Sequence, residues 1–123
     1  MSPNILLIMR QSLESHSKIN TKRIDILIDE VKNWKKGNII YPNFIKSKLY
    51  ISFQEAYDVL DIFEREGILE YVFQVYCHKC SKFQDYPILS SLSEFSDDMY
   101  CDEDHKLSPF EDTILLYRVK KDE

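Results

Sequence analysis

Ile24, Leu27, Ile28, Val31 and Trp34 recur at i, i+3, i+4, i+7 and i+10, the clearest apolar stripe in the chain. They predict an amphipathic helix capped by Asn20 or Thr21. Lys35 and Lys36 would lie in its last turn, where cations suit the helix dipole, and Gly37 would stop it. Ahead of it, Ser2-Pro3 reads as an N-cap followed by proline at the first helical position. Ile5, Ile8, Met9 and Leu13 then predict a short helix over 3–15, and residues 15–20 a polar connector. Beyond Gly37, residues 38–41 read as a short strand, and Pro42 opens a small helix carrying Phe44, Ile45 and Leu49. Ser52-Phe53-Gln54-Glu55 is a capping box, in which the serine and glutamate side chains each satisfy a free backbone N–H. The helix it starts places Phe53, Ala56, Leu60 and Phe63 on one face with Val59 beside them, and ends at Glu66-Gly67.

The pattern then changes period. Residues 68–76 alternate Tyr71, Phe73 and Val75 with Val72, Gln74 and Tyr76, which is strand-like. Residues 113–119, Thr-Ile-Leu-Leu-Tyr-Arg-Val, predict a second strand. Between the two, the Ser-rich stretch 87–98 carries only enough apolar residues for one helical turn.

All the candidate chemistry lies between those strands. Cys77-His78-Lys79-Cys80 offers two thiolates from one tight turn, and 20 residues later Cys101 and His105 offer two more ligands. A tetrahedral zinc ion favours such a closed Cys/His set. Asp104 rivals His105 as the fourth ligand, because Cys101-x-x-Asp104 repeats the spacing of the cysteine pair. Four protein ligands leave no position for substrate, so the implied role of Zn2+ is structural. A redox dithiol would need Cys77-x-x-Cys80 at the start of a helix, and Lys82-Phe83 begins no helical pattern. His78 is expected to face solvent, and Asp97, Asp98, Asp102, Glu103 and Asp104 to form a solvated acidic rim.

Composition narrows the classes. The 123 residues are 44% hydrophobic and suffice for one domain or a compact pair of small units. Only 2 glycines are present, and no glycine-rich phosphate loop can be found. The apolar run 5–9 is too short to span a bilayer and lacks the flanks of a signal peptide, so no membrane partner and a cytoplasmic location are expected. With only 3 histidines and no recognisable nucleophile set, the chain is not expected to be an enzyme. The charge is split. Residues 1–50 sum to +5 and residues 51–123 to −10, which suggests two surfaces with different partners.

The order helix, short strand, short helix, turn, capped helix, strand, insertion, strand over residues 21–76 and 113–119 resembles a winged helix. The segment 71–119 also resembles a zinc ribbon, with knuckles at 76–80 and 100–105. The second knuckle departs from the usual cysteine pair. The resemblance implies an α+β fold: a winged-helix (helix-turn-helix) core over residues 1–76, rejoined by strand 113–120, with a zinc-binding ribbon insertion at 77–112 in the wing. A small winged helix joined to a zinc ribbon is similar to accessory proteins encoded in bacterial anti-phage defence operons.

Two functions follow as expectations. In the first, the chain is a zinc-stabilised protein-interaction module, an accessory or regulatory subunit. Its acidic helix 52–66 and zinc-capped wing would meet a protein partner, with Tyr50, Tyr57, Tyr76, Tyr86 and Tyr100 as candidate anchors. The apolar helix 3–15 offers a surface for a homodimer. In the second, the chain is a winged-helix transcriptional regulator that binds DNA. Helix 52–66 argues against it: Glu55, Asp58, Asp61, Glu64 and Glu66 outnumber Arg65, and DNA affinity comes mainly from neutralising phosphates.

Overall fold

The computed structural model describes residues 1–123 and is a mixed α+β structure with four helices and a four-stranded antiparallel sheet. The elements are α1 (Pro3–His16), α2 (Thr21–Val31), β1 (Ile39–Ile40), α3 (Pro42–Leu49), α4 (Phe53–Arg65), β2 (Leu69–Cys77), β3 (Lys82–Phe83) and β4 (Thr113–Val119), with one 3-10 turn at Leu92–Glu94. The strand order is β1-β4-β2-β3. Ile39 and Ile40 of β1 pair with Arg118 and Tyr117 of β4, and Tyr76 and Cys77 of β2 pair with Phe83 and Lys82 of β3. No helix is long and apolar enough to cross a membrane. The chain divides into two compact units, residues 1–70 with 117–123, and residues 71–116.

The helical unit starts each of three helices with a local cap. Ser2 Oγ accepts from the Ile5 N–H, Asn20 Oδ1 from Arg23, and Ser52 Oγ from Glu55 while the Glu55 carboxylate takes the Ser52 N–H. That exchange holds the Glu55 carboxyl below its ordinary range, the backbone hydrogen bond at Ser52 contributing most. The stripe Ile24, Leu27, Ile28 and Val31 is buried, as are Ile5, Met9 and Leu13 of α1 and Ala56, Val59, Leu60, Ile62 and Phe63 of α4. Trp34 meets Phe63 edge to face, with centroids 6.4 Å apart.

The packing corrects the periodicity at three places. α2 ends at Val31, before the two lysines. Trp34 is still buried, but in a turn: its N–H reaches the Val31 carbonyl, Asn38 Oδ1 takes the Lys35 N–H, and Gly37, at φ 93°, donates to Val119. A hydrogen bond to β4 there wins over helix propensity. Phe53, read as a core residue, is half exposed, and Ile62 takes the buried place on α4. Ile8 of α1 is likewise exposed.

The second unit has a small core of Val75, Cys77, Leu89, Met99, Cys101 and Leu107, two of which are candidate ligands. β3 was not foreseen. Two residues are too few to show alternation, and β3 forms because the turn after Cys77 folds the chain back, with the Gln84 N–H reaching Val75.

Candidate metal centre

Cys77 is the last residue of β2, and residues 78–81 make the turn into β3. Ser81 completes that turn in the left-handed region, at φ 56°. The turn returns the chain within four residues, which brings Cys80 back beside Cys77. Tyr76 and Phe83 flank the turn with their rings at 5.1 Å, edge to face.

The second knuckle is built the same way from other residues. Tyr100 and Lys106 form an isolated antiparallel bridge. Between them Asp104 sits in the left-handed region, at φ 64°, its N–H on the Cys101 carbonyl. Asp is among the side chains that tolerate this conformation. The Cys101 N–H reaches the His105 carbonyl, and the N–H groups of Glu103 and His105 both point at Cys101 Sγ, each at 3.3 Å. Tyr86 clamps the start of the knuckle, donating from its hydroxyl to the Tyr100 carbonyl and accepting the Tyr100 N–H.

The two knuckles bring four ligand atoms together. The sulfurs of Cys77, Cys80 and Cys101 and Nδ1 of His105 all lie within 4.8 Å of one another. Nδ1 is 3.7, 3.1 and 3.3 Å from the three sulfurs in that order, and Cys80 Sγ is 3.6 Å from Cys101 Sγ. These four groups could hold a metal ion. Asp104 is not among them: it is exposed at the outer corner of the turn. Cys77 and Cys101 are buried, so bulk water reaches only the side of Cys80 and His105.

The local field differs at the three sulfurs. Burial pushes the Cys101 thiol up, but the N–H groups of His105 and Glu103 outweigh it and hold the thiol below its ordinary range. Such a sulfur is ready to ligate as thiolate. Cys80 is pushed well up, first by the Glu103 carboxylate 3.2 Å from its sulfur and then by burial.

His78, expected to face solvent, is tied on one side. Its ring is exposed, yet Nδ1–H donates to Asp112 Oδ1 at 2.6 Å, and its backbone N–H donates to the same oxygen at 3.0 Å. The other oxygen of Asp112 takes the Ser108 N–H at 2.7 Å. Asp112 is only 2% exposed and is the residue that sequence reasoning missed. Its partner is 34 positions away, and one Asp before a strand carries no signal. Burial pushes its carboxyl up, but the hydrogen bonds from His78 and Ser108 win and hold it below its ordinary range. The stabilisation is therefore complete at neutral pH and is lost as the pH falls through that depressed value. Asp112→Ala leaves the N–H groups of His78 and Ser108 without their acceptor. We expect the unit 71–116 to lose about 2–4 kcal/mol. Metal affinity should fall by about tenfold and not vanish, because no ligand is removed. Thermal unfolding and competition with a chelating dye measure the two effects.

The chain matches no family model, no curated protein and no solved structure, so the geometry of its own site is what speaks for its function.

Proposed function

We propose that this protein is a non-catalytic protein-interaction module whose second unit is held together by one structural zinc ion. The observation that carries the reading is the closed set Cys77, Cys80, Cys101 and His105. Zinc–sulfur bonds of about 2.3 Å and zinc–nitrogen bonds of about 2.0–2.1 Å at tetrahedral angles give edges of roughly 3.8 Å between sulfurs and 3.5 Å from sulfur to nitrogen. The 3.6 Å between the sulfurs of Cys80 and Cys101 and the 3.1–3.7 Å from the three sulfurs to Nδ1 lie close to those edges, and all four atoms lie within 4.8 Å of one another. Three sulfurs and an imidazole suit zinc better than the hard, oxygen-seeking cations. With four protein ligands the ion has no open position, so it supplies folding energy and not catalysis.

In this reading the helical unit is a winged-helix core, and residues 71–116 are a ribbon-like wing capped by zinc. The partner is a protein, and the chain acts as an accessory or regulatory subunit of the kind found in bacterial defence operons. The acidic helix α4 supports a protein partner, and its carboxylates keep their charge where they also accept hydrogen bonds. Glu55 is spent in the capping box, Asp61 accepts from the buried Tyr117 hydroxyl at 2.6 Å, and Glu66 accepts from Ser12 at 2.8 Å. Glu55, Asp58 and Glu66 are exposed and Glu64 partly so; Asp58 and Glu64 can be reversed without removing any of those three bonds.

Purified without chelator, the protein should hold close to one zinc per chain by elemental analysis. Asp58→Lys with Glu64→Lys should weaken the complex recovered from the native cell by about tenfold, through loss of complementary charge. Asp61 is left in place to keep its bond to Tyr117. A protein without metal sinks the zinc reading. Unchanged recovery by the charge-reversed chain, with sequence-specific retention of duplex DNA at physiological salt, would establish the regulator reading instead.

A further inference from the structure

Residues 31–54 contain five lysines and no Asp or Glu, while all 21 acids of the chain lie outside them. The same segment leaves four large aromatic side chains in solvent: Tyr41 and Phe44 are 41% and 47% exposed, Phe53 52% and Tyr50 87%. The solvent face of α3 and the turn into α4 therefore combine positive charge with unburied flat rings. Burial of Pro42, Ile45 and Leu49 fixes which side of α3 faces out. Tyr41, Phe44 and Lys48 follow at i, i+3 and i+7 on one flank of the helix. Lys48 lies 3.8 Å from the Glu30 carboxylate, a partly exposed pair that a phosphate could replace, and on the other flank the Nζ of Lys46 lies over the Phe53 ring, 5.1 Å from the centroid.

Tyr50 is the sharpest anomaly. It caps α3 in the left-handed region, at φ 54° and ψ 50°, where Gly or Asn is the usual residue. The turn itself has no use for an aromatic side chain, and at 87% exposure the core has none either. A bulky residue kept in a sparsely populated conformation at the surface points to a use outside the fold.

We propose that the outer face of α3 and the α3–α4 turn binds single-stranded nucleic acid, with Phe44 and Tyr50 stacking on bases and Lys46 and Lys48 at phosphates. Unpaired bases present π-faces that a standing ring can cover, and interleaved cations follow the backbone. A duplex hides those faces and would leave the rings against sugar and phosphate. An acidic peptide would satisfy the lysines, but its apolar anchors need a concave pocket, and a helix surface is convex. The eight residues of α3 span about 12 Å, enough to meet a few nucleotides of a single strand. The inference is independent of the protein partner of α4, since it uses other residues.

Fluorescence anisotropy of the full zinc-loaded chain at low salt tests it, with labelled oligo(dT) of about 12 nucleotides as the probe. The comparison ligands are an abasic strand of equal length, a duplex and an oligo-glutamate peptide. Oligo(dT) should bind at least about tenfold tighter than each of these. Tyr50→Gly should weaken oligo(dT) by about tenfold while the thermal midpoint stays level or rises, because glycine suits the left-handed cap. Lys46→Gln and Lys48→Gln should each flatten the salt dependence by roughly 0.7 in logarithmic slope. Equal affinity for the abasic strand, preference for the peptide, or undiminished binding by the folded Tyr50→Gly chain each overturns the proposal.

Discussion

Cys80→Ser is expected to abolish metal binding and unfold residues 71–116 while α1 to α4 keep their helical signal. The second unit has 46 residues. At that size a hydrophobic core alone is marginal, and metals or disulfides commonly supply the rest. Its core contains six buried residues, of which Cys77 and Cys101 are candidate ligands. Without an ion, Val75, Leu89, Met99 and Leu107 remain, with the partly buried Phe73, Tyr86 and Phe95 against them, to offset the backbone entropy of two knuckles and a long connection. Structural zinc supplies on the order of 10 kcal/mol in comparable small sites, as much as the roughly 6–12 kcal/mol that burying the four core side chains contributes, so its loss removes about half of what holds the unit together. The cysteines are free, and the 3.6 Å between the sulfurs of Cys80 and Cys101 is not a disulfide, so no covalent link takes over. Amide spectra should show the resonances of 71–116 collapse while far-UV helicity persists. A mutant that lost its helices together with the knuckles would show that the chain folds as one cooperative body.

The complementary expectation is that Phe63→Ala destabilises the helical unit by about 3–5 kcal/mol, with zinc still bound. Phe63 is fully buried and meets Trp34 edge to face at 6.4 Å. It packs among Leu27, Val31, Val59 and Leu60 in a core that includes Tyr117. Truncation leaves a cavity of most of a ring, and the surrounding helices close over such a void only in part. Small domains have about 5–15 kcal/mol in total, so a large share of helical stability goes. Thermal melts followed by far-UV dichroism give the loss, and elemental analysis gives the metal. A loss below about 1 kcal/mol would mean that the core repacks around the missing ring. Zinc released at the helical midpoint would tie the two units into one transition.

Much of the helical unit was legible because its determinants lie within four residues of one another. The Ser52–Glu55 box, the Asn20 cap and the Ser2-Pro3 start are local exchanges that need no tertiary partner, and the stripe from Ile24 to Val31 marks its own buried side. The ligand cluster was legible for a related reason. Two thiolates two residues apart have few uses in a chain that continues into no helix, and Cys101 with either Asp104 or His105 could complete the set by type.

What tertiary structure decided were choices between local equals. Asp104 and His105 stand next to each other and both can bind zinc. Only the left-handed backbone at Asp104, which turns that residue out and brings His105 Nδ1 back over the sulfurs, chooses between them. Trp34 could have continued α2, but Gly37 hydrogen-bonds to Val119, 82 residues away, and the helix stops at Val31. Asp112 and His78 look unremarkable until the fold buries one against the other. Asp61 of α4 and Glu66 just after it are tied to Tyr117 and Ser12. In the last three cases the deciding hydrogen-bond or packing partner is distant in the chain, and local propensity differences of a few tenths of a kcal/mol are smaller than one such bond, worth about 1 kcal/mol. The sequence by itself therefore determined which segments fold locally and which residues can ligate. The tertiary structure decided where α2 ends, which of two neighbours joins the three sulfurs, and which carboxylates are tied to distant partners.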